Sequence, residues 1–426
     1  IALALPARAT VDIQEVTSPG GLTAWLVEEH SIPFVALEIR FRGGASLDPE
    51  DKRGAVNLMT GFLEEGAGEM DAQAFATARE GLAARFEYRA YDDEVSVSAR
   101  MLTENRDAAV ELLKASITEP RFDGAALERV RAQVIAGIRS DQTDPNSIAY
   151  RRVDALAFGD HPYATPREGT EESVSALTRQ DLVEAHERVF ARDRVYVAAA
   201  GDITPEELGA LMDTLLGDLP ETGAPMPEEA PFLLDGGTTV VDFDTPQSVA
   251  VFGHEGIDRH DPDFFPAYVL NQILGGGNFS SRLMTEVREK RGLTYGVYSF
   301  LAAKDHADLM MGQVASSNDR MAEAIAVIRE EWRRIREEGV TAQELEDAKT
   351  YLTGAYPLRF DGNAPIARIL VGMQMTGLPL DYVETRNARV EAVTLEDIDR
   401  VAGRLVRPGE LHFVVVGKPV GLEPSN

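Results

Sequence analysis

Val174-Ser175-Ala176-Leu177-Thr178-Arg179-Gln180-Asp181 reads against Val390-Glu391-Ala392-Val393-Thr394-Leu395-Glu396-Asp397, and this pair of stretches decides the fold. In the same register Arg188 meets Arg404 and Gly201 meets Gly417, without a gap. Each copy has a Thr where a helix N-cap belongs, its side-chain oxygen placed to accept an early backbone N–H. Each is followed by an apolar run, VYVAAA from Val195 and LHFVVV from Leu411, that reads as a strand. Helix then strand, twice, in one register is a duplication.

Between the copies, Gly217 to Gly237 carries Pro220, Pro225, Pro227 and Pro231 together with Gly223 and Gly236. Such a stretch supports neither a helix nor a central strand and reads as a linker over 217–237. An N-terminal domain over 10–216 and a C-terminal domain over 238–420 follow. Inside the first half, Val35, Leu37, Ile39 and Phe41 alternate with Ala36, Glu38, Arg40 and Arg42, which predicts a half-buried strand. Val95, Val97, Ala99 and Met101 alternate likewise. Helical spacing follows at Ala109, Leu112, Leu113 and Ser116, then at Leu127, Val130, Val134 and Ile138. Hairpin-like strand pairs among paired helices predict an α+β fold: two tandem homologous α/β sandwich domains with antiparallel-rich sheets.

The net charge of −29 is spread along the chain. Phosphate backbones and anionic lipid surfaces attract basic patches, so nucleic acid and membrane surface are poor partners. The absence of cysteine excludes disulfides, thiolate zinc sites and cysteine nucleophiles. No apolar run is long enough to span a bilayer. Ile1 to Ala9 (IALALPARA) fits the end of a signal peptide, with Ala7-Arg8-Ala9 as the small-x-small cleavage pattern. That predicts a periplasmic protein, although an arbitrary boundary and a cytoplasmic location stay open.

One further stretch carries chemistry: LGGGNFSSRLMTEVREKRGLTYGVYS, from Leu274 to Ser299. Ser280 and Ser281 are good N-caps, Arg282 to Lys290 has helical composition, and Gly292 is a natural C-terminal stop. Thr294 to Phe300 reads as a strand. Arg288 then falls in the last helical turn and Tyr295 at the head of the strand. From spacing alone they read as a solvated helix arginine and a packed strand tyrosine. Gly275, Gly276 and Gly277, followed by Asn278, lack the Gly-Lys-Ser/Thr of a phosphate loop. They read as a flexible loop that lets backbone approach a peptide, or as a plain turn.

This stretch resembles the second-half signature of the M16 peptidases, the family of pitrilysin, insulin-degrading enzyme and mitochondrial processing peptidase. Phe158-Gly159-Asp160-His161-Pro162-Tyr163 and Gly43-Gly44-Ala45-Ser46-Leu47-Asp48 resemble further family segments. The resemblance implies tandem homologous α+β domains. It also implies that Arg288 and Tyr295 bind substrate and stabilise the carbonyl oxygen opposite a zinc ion, with Gly275 to Asn278 against the peptide.

The zinc motif itself is missing. Active members carry His-x-x-Glu-His on a first-half helix, with both imidazoles on one face and the Glu as general base, and a further Glu downstream. Here the matching positions read Asn57, Thr60 and Gly61, and the distal position reads Gly137. A zinc site needs at least three ligands of suitable chemistry. The seven histidines contain no pair four apart; His254 and His260 are the closest in sequence. The resemblance therefore implies no cofactor on this chain, zinc on a His-x-x-Glu-His homologue, a heterodimer with that homologue, and an extended peptide as substrate. A catalytically inactive peptide-binding or assembly protein is the alternative.

Overall fold

The structure is a computed structural model and describes residues 12–276 and 280–425. The leader-like Ile1 to Ala9, and Gly277 and Asn278 of the glycine run, lie outside the described residues. The chain divides into two compact units, each discontinuous in sequence. One comprises the described residues up to Ile135 with Arg167–Met226 and Ala355–Arg386; the other comprises Ala136–Pro166, Pro227–Gly354 and the described residues from Asn387. Each unit thus holds a segment from the other half of the sequence.

The first unit is built on β1 (Gln14–Thr17), β2 (Thr23–Glu28), β3 (Phe34–Arg42), β4 (Arg85–Ala90), β5 (Glu94–Leu102) and β6 (Val195–Gly201). They form one sheet in the order β1-β2-β6-β3-β5-β4, antiparallel except where β2 runs parallel to β6. The second unit has β7 (Gly237–Asp242), β8 (Gln247–Glu255), β9 (Val297–Ala303), β10 (Asp308–Ser317) and β11 (His412–Gly417), in the order β9-β10-β8-β11-β7. Again one pair is parallel, β11 with β7. Both strands of the sequence repeat sit between a parallel and an antiparallel neighbour. Val197 pairs Ala24 just as Phe413 pairs Thr238. The threonines before them do cap helices: Thr178 and Thr394 each accept from the backbone N–H three residues on, and Asp181 and Asp397 return the bond.

The alternating strand β3 departs from expectation. Val35, Leu37, Ile39 and Phe41 are fully buried, but Ala36 and Glu38 on the other face are buried as well. The reason is the helix Asn363–Met375, which comes from the second half and packs across β3 and β6. Its Gln374 side chain donates to Val197 O at 2.7 Å. Glu38 becomes a buried carboxylate: desolvation raises its pKa, while Ser98 Oγ donates to it at 2.8 Å. The helix Pro145–Ala157 makes the reverse exchange. It sets Ala149, Val153 and Ala157 against Val249 and Val251 of β8 and Val414 and Val416 of β11. Each sheet is therefore covered on both faces, the sandwich that the strand and helix pattern predicts.

Candidate functional site

Arg288 and Tyr295 both fall in the second unit. Met284–Glu289 is a π-helical turn rather than the ordinary helix expected, with Lys290 N–H bonded to Thr285 O at 3.0 Å. Its start is fixed from below. The Arg282 guanidinium donates twice to the Glu344 carboxylate, at 2.6 and 2.9 Å, and once to Gly339 O. The expected stop at Gly292 is present, in the left-handed region at φ +61°. Gly292 N–H reaches Arg288 O at 2.8 Å and Leu293 N–H reaches Val287 O at 2.9 Å, the nested closure of a glycine C-cap widened by one residue. Arg288 is half-buried on this turn. Arg291, for which the sequence suggests no role, folds back on the turn and donates to both Glu286 O and the Glu286 carboxylate at 2.7 Å.

The strand starts later than expected, at Val297, so Tyr295 stands on a bend before it. Tyr295 is not packed: its residue surface is 88% exposed. The backbone around it is held nonetheless. Thr294 Oγ1 lies 2.6 Å from Ala315 O and 2.8 Å from Gly296 O, and accepts from Gly296 N–H at 3.0 Å. Ser316 Oγ donates to Leu293 O at 2.5 Å. Both partners lie on β10. A rigid bend presenting a bare phenol costs folding energy that an ordinary packed tyrosine would contribute. The bonds of Arg282, Glu286 and Thr294 around this turn and bend have no counterpart in the sequence reading, which places Thr294 in the strand.

Close packing explains two of the glycines. A β-carbon on Gly275 would lie 2.5 Å from Ser299 Oγ and 2.7 Å from Ser299 N. Gly275 ends the helix Phe264–Gly275, which Asn271 ties to the same strand through Ser299. A β-carbon on Gly276 would meet Gln272 Oε1 at 2.5 Å.

In the first unit, Asn57 and Thr60 lie on the short helix Ala55–Thr60 and Gly61 caps it. The helix begins where the sequence demands. Gly54 takes φ +91°, and the buried Asp48 carboxylate accepts from Gly54 N–H and Val56 N–H at 2.9 and 3.0 Å. Burial pushes the Asp48 carboxyl up to about 7 against these bonds. Thr60 Oγ1 donates to Asn57 O at 2.8 Å. A cavity of about 410 Å³ opens beside them, lined also by Tyr88 and Arg89 of β4, Val130, Gln133 and Arg167. An amide, an engaged hydroxyl and a glycine do not make a zinc site there. Gly137 lies exposed on the helix Gly124–Asp141 and adds no donor. Among the described residues no group of three His, Cys, Asp or Glu could hold a metal ion. His254 is fully buried and both ring nitrogens are engaged: Trp332 Nε1–H donates to Nε2 at 3.1 Å, and Nδ1–H donates to Glu255 O at 2.7 Å. Burial lowers its pKa, so it stays neutral.

Two α/β units of one plan, each holding a helix from the other half of the sequence, define a duplicated α/β chain with no metal-binding group among the described residues. Two models of one family match it: Insulinase (Peptidase family M16) over residues 24–171, and Peptidase M16 inactive domain over residues 176–352. The chain belongs to peptidase family M16, and Arg288 and Tyr295 fall in the part matched by the inactive domain. It is 27% identical over 393 residues to the non-peptidase homolog YmxG of Helicobacter pylori, covering 91% of this chain and 90% of that one. It is 28% identical over 408 residues to an uncharacterized zinc protease of Mycobacterium leprae, covering 94% and 91%. A crystal structure of a peptidase M16 inactive domain from Pseudomonas fluorescens superposes with a TM-score of 0.90 at 29% identity, covering 97% of this chain and all of that one. No helix among the described residues is long and apolar enough to cross a membrane.

Proposed function

We propose that this chain is the zinc-free subunit of a two-chain M16 peptidase, binding an extended peptide and lending Arg288 and Tyr295 to the active site of a zinc-bearing homologue. The observation that carries this reading is the exposure of Tyr295 on a bend whose flanking backbone is pinned to β10. Preorganised donors aimed at a developing oxyanion act without reorganisation at the moment of reaction. β9, which begins two residues beyond Tyr295, is the outermost strand of its sheet. A peptide added to its edge runs past the phenol, and main-chain pairing of that kind tolerates varied sequences. The His-x-x-Glu-His residues of the homologue would hold a zinc ion, which would supply Lewis-acid chemistry to the scissile carbonyl and to water; Arg288 and Tyr295 of this chain would donate to the oxygen.

A second reading, a peptide-binding protein without catalysis, is favoured by the polar cavity beside Asn57. Reconstitution separates the two. The chain alone is expected to hold far less than one zinc and to leave unstructured peptides intact. Mixed with a His-x-x-Glu-His homologue from the same genome, it is expected to form a stable complex with chelator-sensitive cleavage absent from either chain alone. Cleavage by the homologue alone at the full rate would favour the binding-protein reading.

A further inference from the structure

The edge of the second sheet opposite β9 is formed by β7, which pairs only with β11 among the described strands. Along a strand, alternate residues turn their backbone groups to opposite sides. Phe243 N–H points inward to Gly417 O, at 3.3 Å, at the end of β11. Thr238, of the other parity, points outward: its N–H donates to Ser425 Oγ at 2.6 Å and its O accepts from Ser425 N–H at 2.9 Å. Val240 and Asp242 share the parity of Thr238, so their N–H and C=O groups face outward as well.

The first unit supplies the comparison. There β2 runs parallel to β6 as β7 runs parallel to β11, and its outer edge is covered by β1, antiparallel, from Gln14 opposite Leu26 to Thr17 opposite Thr23. Among the described residues the duplication therefore has a strand at this position once and none once. An unpaired edge is a template for another chain. Beside the open edge runs a groove of about 630 Å³. Its floor is Val241 and Phe243 with Ile148 of the helix Pro145–Ala157, and its rim carries Arg151 and Arg152. Arg151 is tied to Asp141 at 2.8 Å. Arg152 is exposed and forms no ion pair among the described residues, in a chain whose net charge is −29.

We propose that the β7 edge is a docking site for an extended acidic segment of a partner polypeptide. The segment adds antiparallel to β7 as β1 adds to β2, inserts an apolar side chain between Val241 and Ile148, and sets a carboxylate on Arg152. This site is independent of the role assigned to Arg288 and Tyr295. Main-chain pairing supplies the affinity, and the groove and arginine supply the selection.

The probe is a fluorescent peptide of about eight residues, the length of an ordinary strand, alternating Val and Glu. Its companions carry Lys for Glu, or Pro at alternate positions. Binding to the full chain is read by fluorescence anisotropy. Val240→Pro removes an outward N–H while leaving the β11 ladder, because proline is tolerated at an edge whose N–H faces solvent. Arg152→Glu reverses the rim on an exposed helix face and guards against misfolding of the proline variant. The Glu peptide is expected to bind saturably, and the Lys and Pro peptides about tenfold or more weaker. Both variants are expected to weaken the Glu peptide to the same degree, with Arg152→Glu gaining affinity for the Lys peptide. Equal binding of all three peptides, no binding at all, or indifference to both variants overturns the proposal. So does a monomer–dimer equilibrium, seen by sedimentation, that Val240→Pro abolishes while peptides stay unbound: the edge would then serve a second copy of this chain.

Discussion

Val130 stands in the space that any side chain at Gly61 would enter: a β-carbon there would lie 2.9 Å from Val130 Cγ1. Packing, as well as residue type, therefore opposes an imidazole at this position. Gly61 has ordinary helical φ and ψ, so its backbone would accept a side chain. Val130 is β-branched in mid-helix, where one rotamer dominates, and cannot swing aside cheaply.

The first prediction follows from that contact. Replacing glycine in helical geometry gains roughly 0.5 kcal/mol of propensity, whereas overpacking costs about 1–3 kcal/mol. Gly61→His is therefore expected to destabilise the chain by about 1 kcal/mol net. Adding Val130→Ala relieves the clash, so urea unfolding of the two singles and the double is expected to give a favourable coupling of about 1 kcal/mol. Additive effects would show that the two residues do not interlock.

A second prediction concerns acid. Burial alone raises the Glu344 carboxyl, but the bonds from Arg282 and Thr341 outweigh it and bring it from the ordinary 4.5 down to about 2. A lowered folded pKa contributes stability that is complete above about pH 4.5 and is lost as pH falls toward 2. The carboxylate is 31% exposed, so solvent screening reduces the effect to roughly 1–2 kcal/mol. Wild type minus Glu344→Gln, followed by thermal unfolding, should show a constant gap above that window that closes within it. A pH-independent gap would deny the ion pair its energetic role.

The exchanged helices give a third prediction. The linker is pinned near both ends, by Ala224 N–H to Arg188 O and by Ala230 N–H to His306 O, both within 3.0 Å. Between them Pro225 to Glu229 is the stretch expected to be cut first by a protease. The two products should co-elute on gel filtration and part only in denaturant, because each unit contains a helix from the other half. Residues 10–216 expressed alone should not fold, since Asn363–Met375 is needed to cover β3 and Glu38. A folded, soluble 10–216 fragment would contradict this.

What was legible in the sequence is what local physics decides. Thr178 and Thr394 announce helices because a cap is a bond three residues long, and the alternation over Val35 to Phe41 announces a strand. The destination of a helix is not local. The apolar stripe of Asn363–Met375 says that one face is buried, not which sheet buries it, so β3 reads as half-buried. The π-helical turn at Met284–Glu289 starts beside Arg282, whose partner Glu344 lies 62 residues further along the chain and so outside any local pattern. Tyr295 illustrates the limit: a tyrosine near a strand reads as packed, whereas here it stands exposed on a bend whose backbone Thr294 and Ser316 pin to β10.

The last prediction tests the proposed catalytic pair in a reconstituted peptidase. Tyr295→Phe removes one hydroxyl donor, and Arg288→Ala removes a charged one. If each donates to an oxygen that gains charge in the transition state, each is expected to slow turnover by about 10²–10³-fold. The double variant should fall short of the product of the singles, because both serve one oxygen. Tyr295 is exposed, so its substitution should leave the melting temperature and subunit association unchanged. Thr294→Val separates presentation from chemistry: it keeps the phenol and releases the bond to Ala315 O. Its turnover should fall about tenfold, less than for Tyr295→Phe, since a misplaced donor still reaches the oxygen part of the time. Arg291→Ala is no neutral control, as it removes the Arg291 bonds to Glu286 on the turn that carries Arg288 and leaves only Lys290 on that carboxylate; Arg333→Ala, on a solvent-facing helix side, is. Kinetics of one peptide, with association followed by gel filtration, reads all six proteins. Full turnover by both Tyr295→Phe and Arg288→Ala would remove the catalytic role and leave a chain that binds peptide without acting on it.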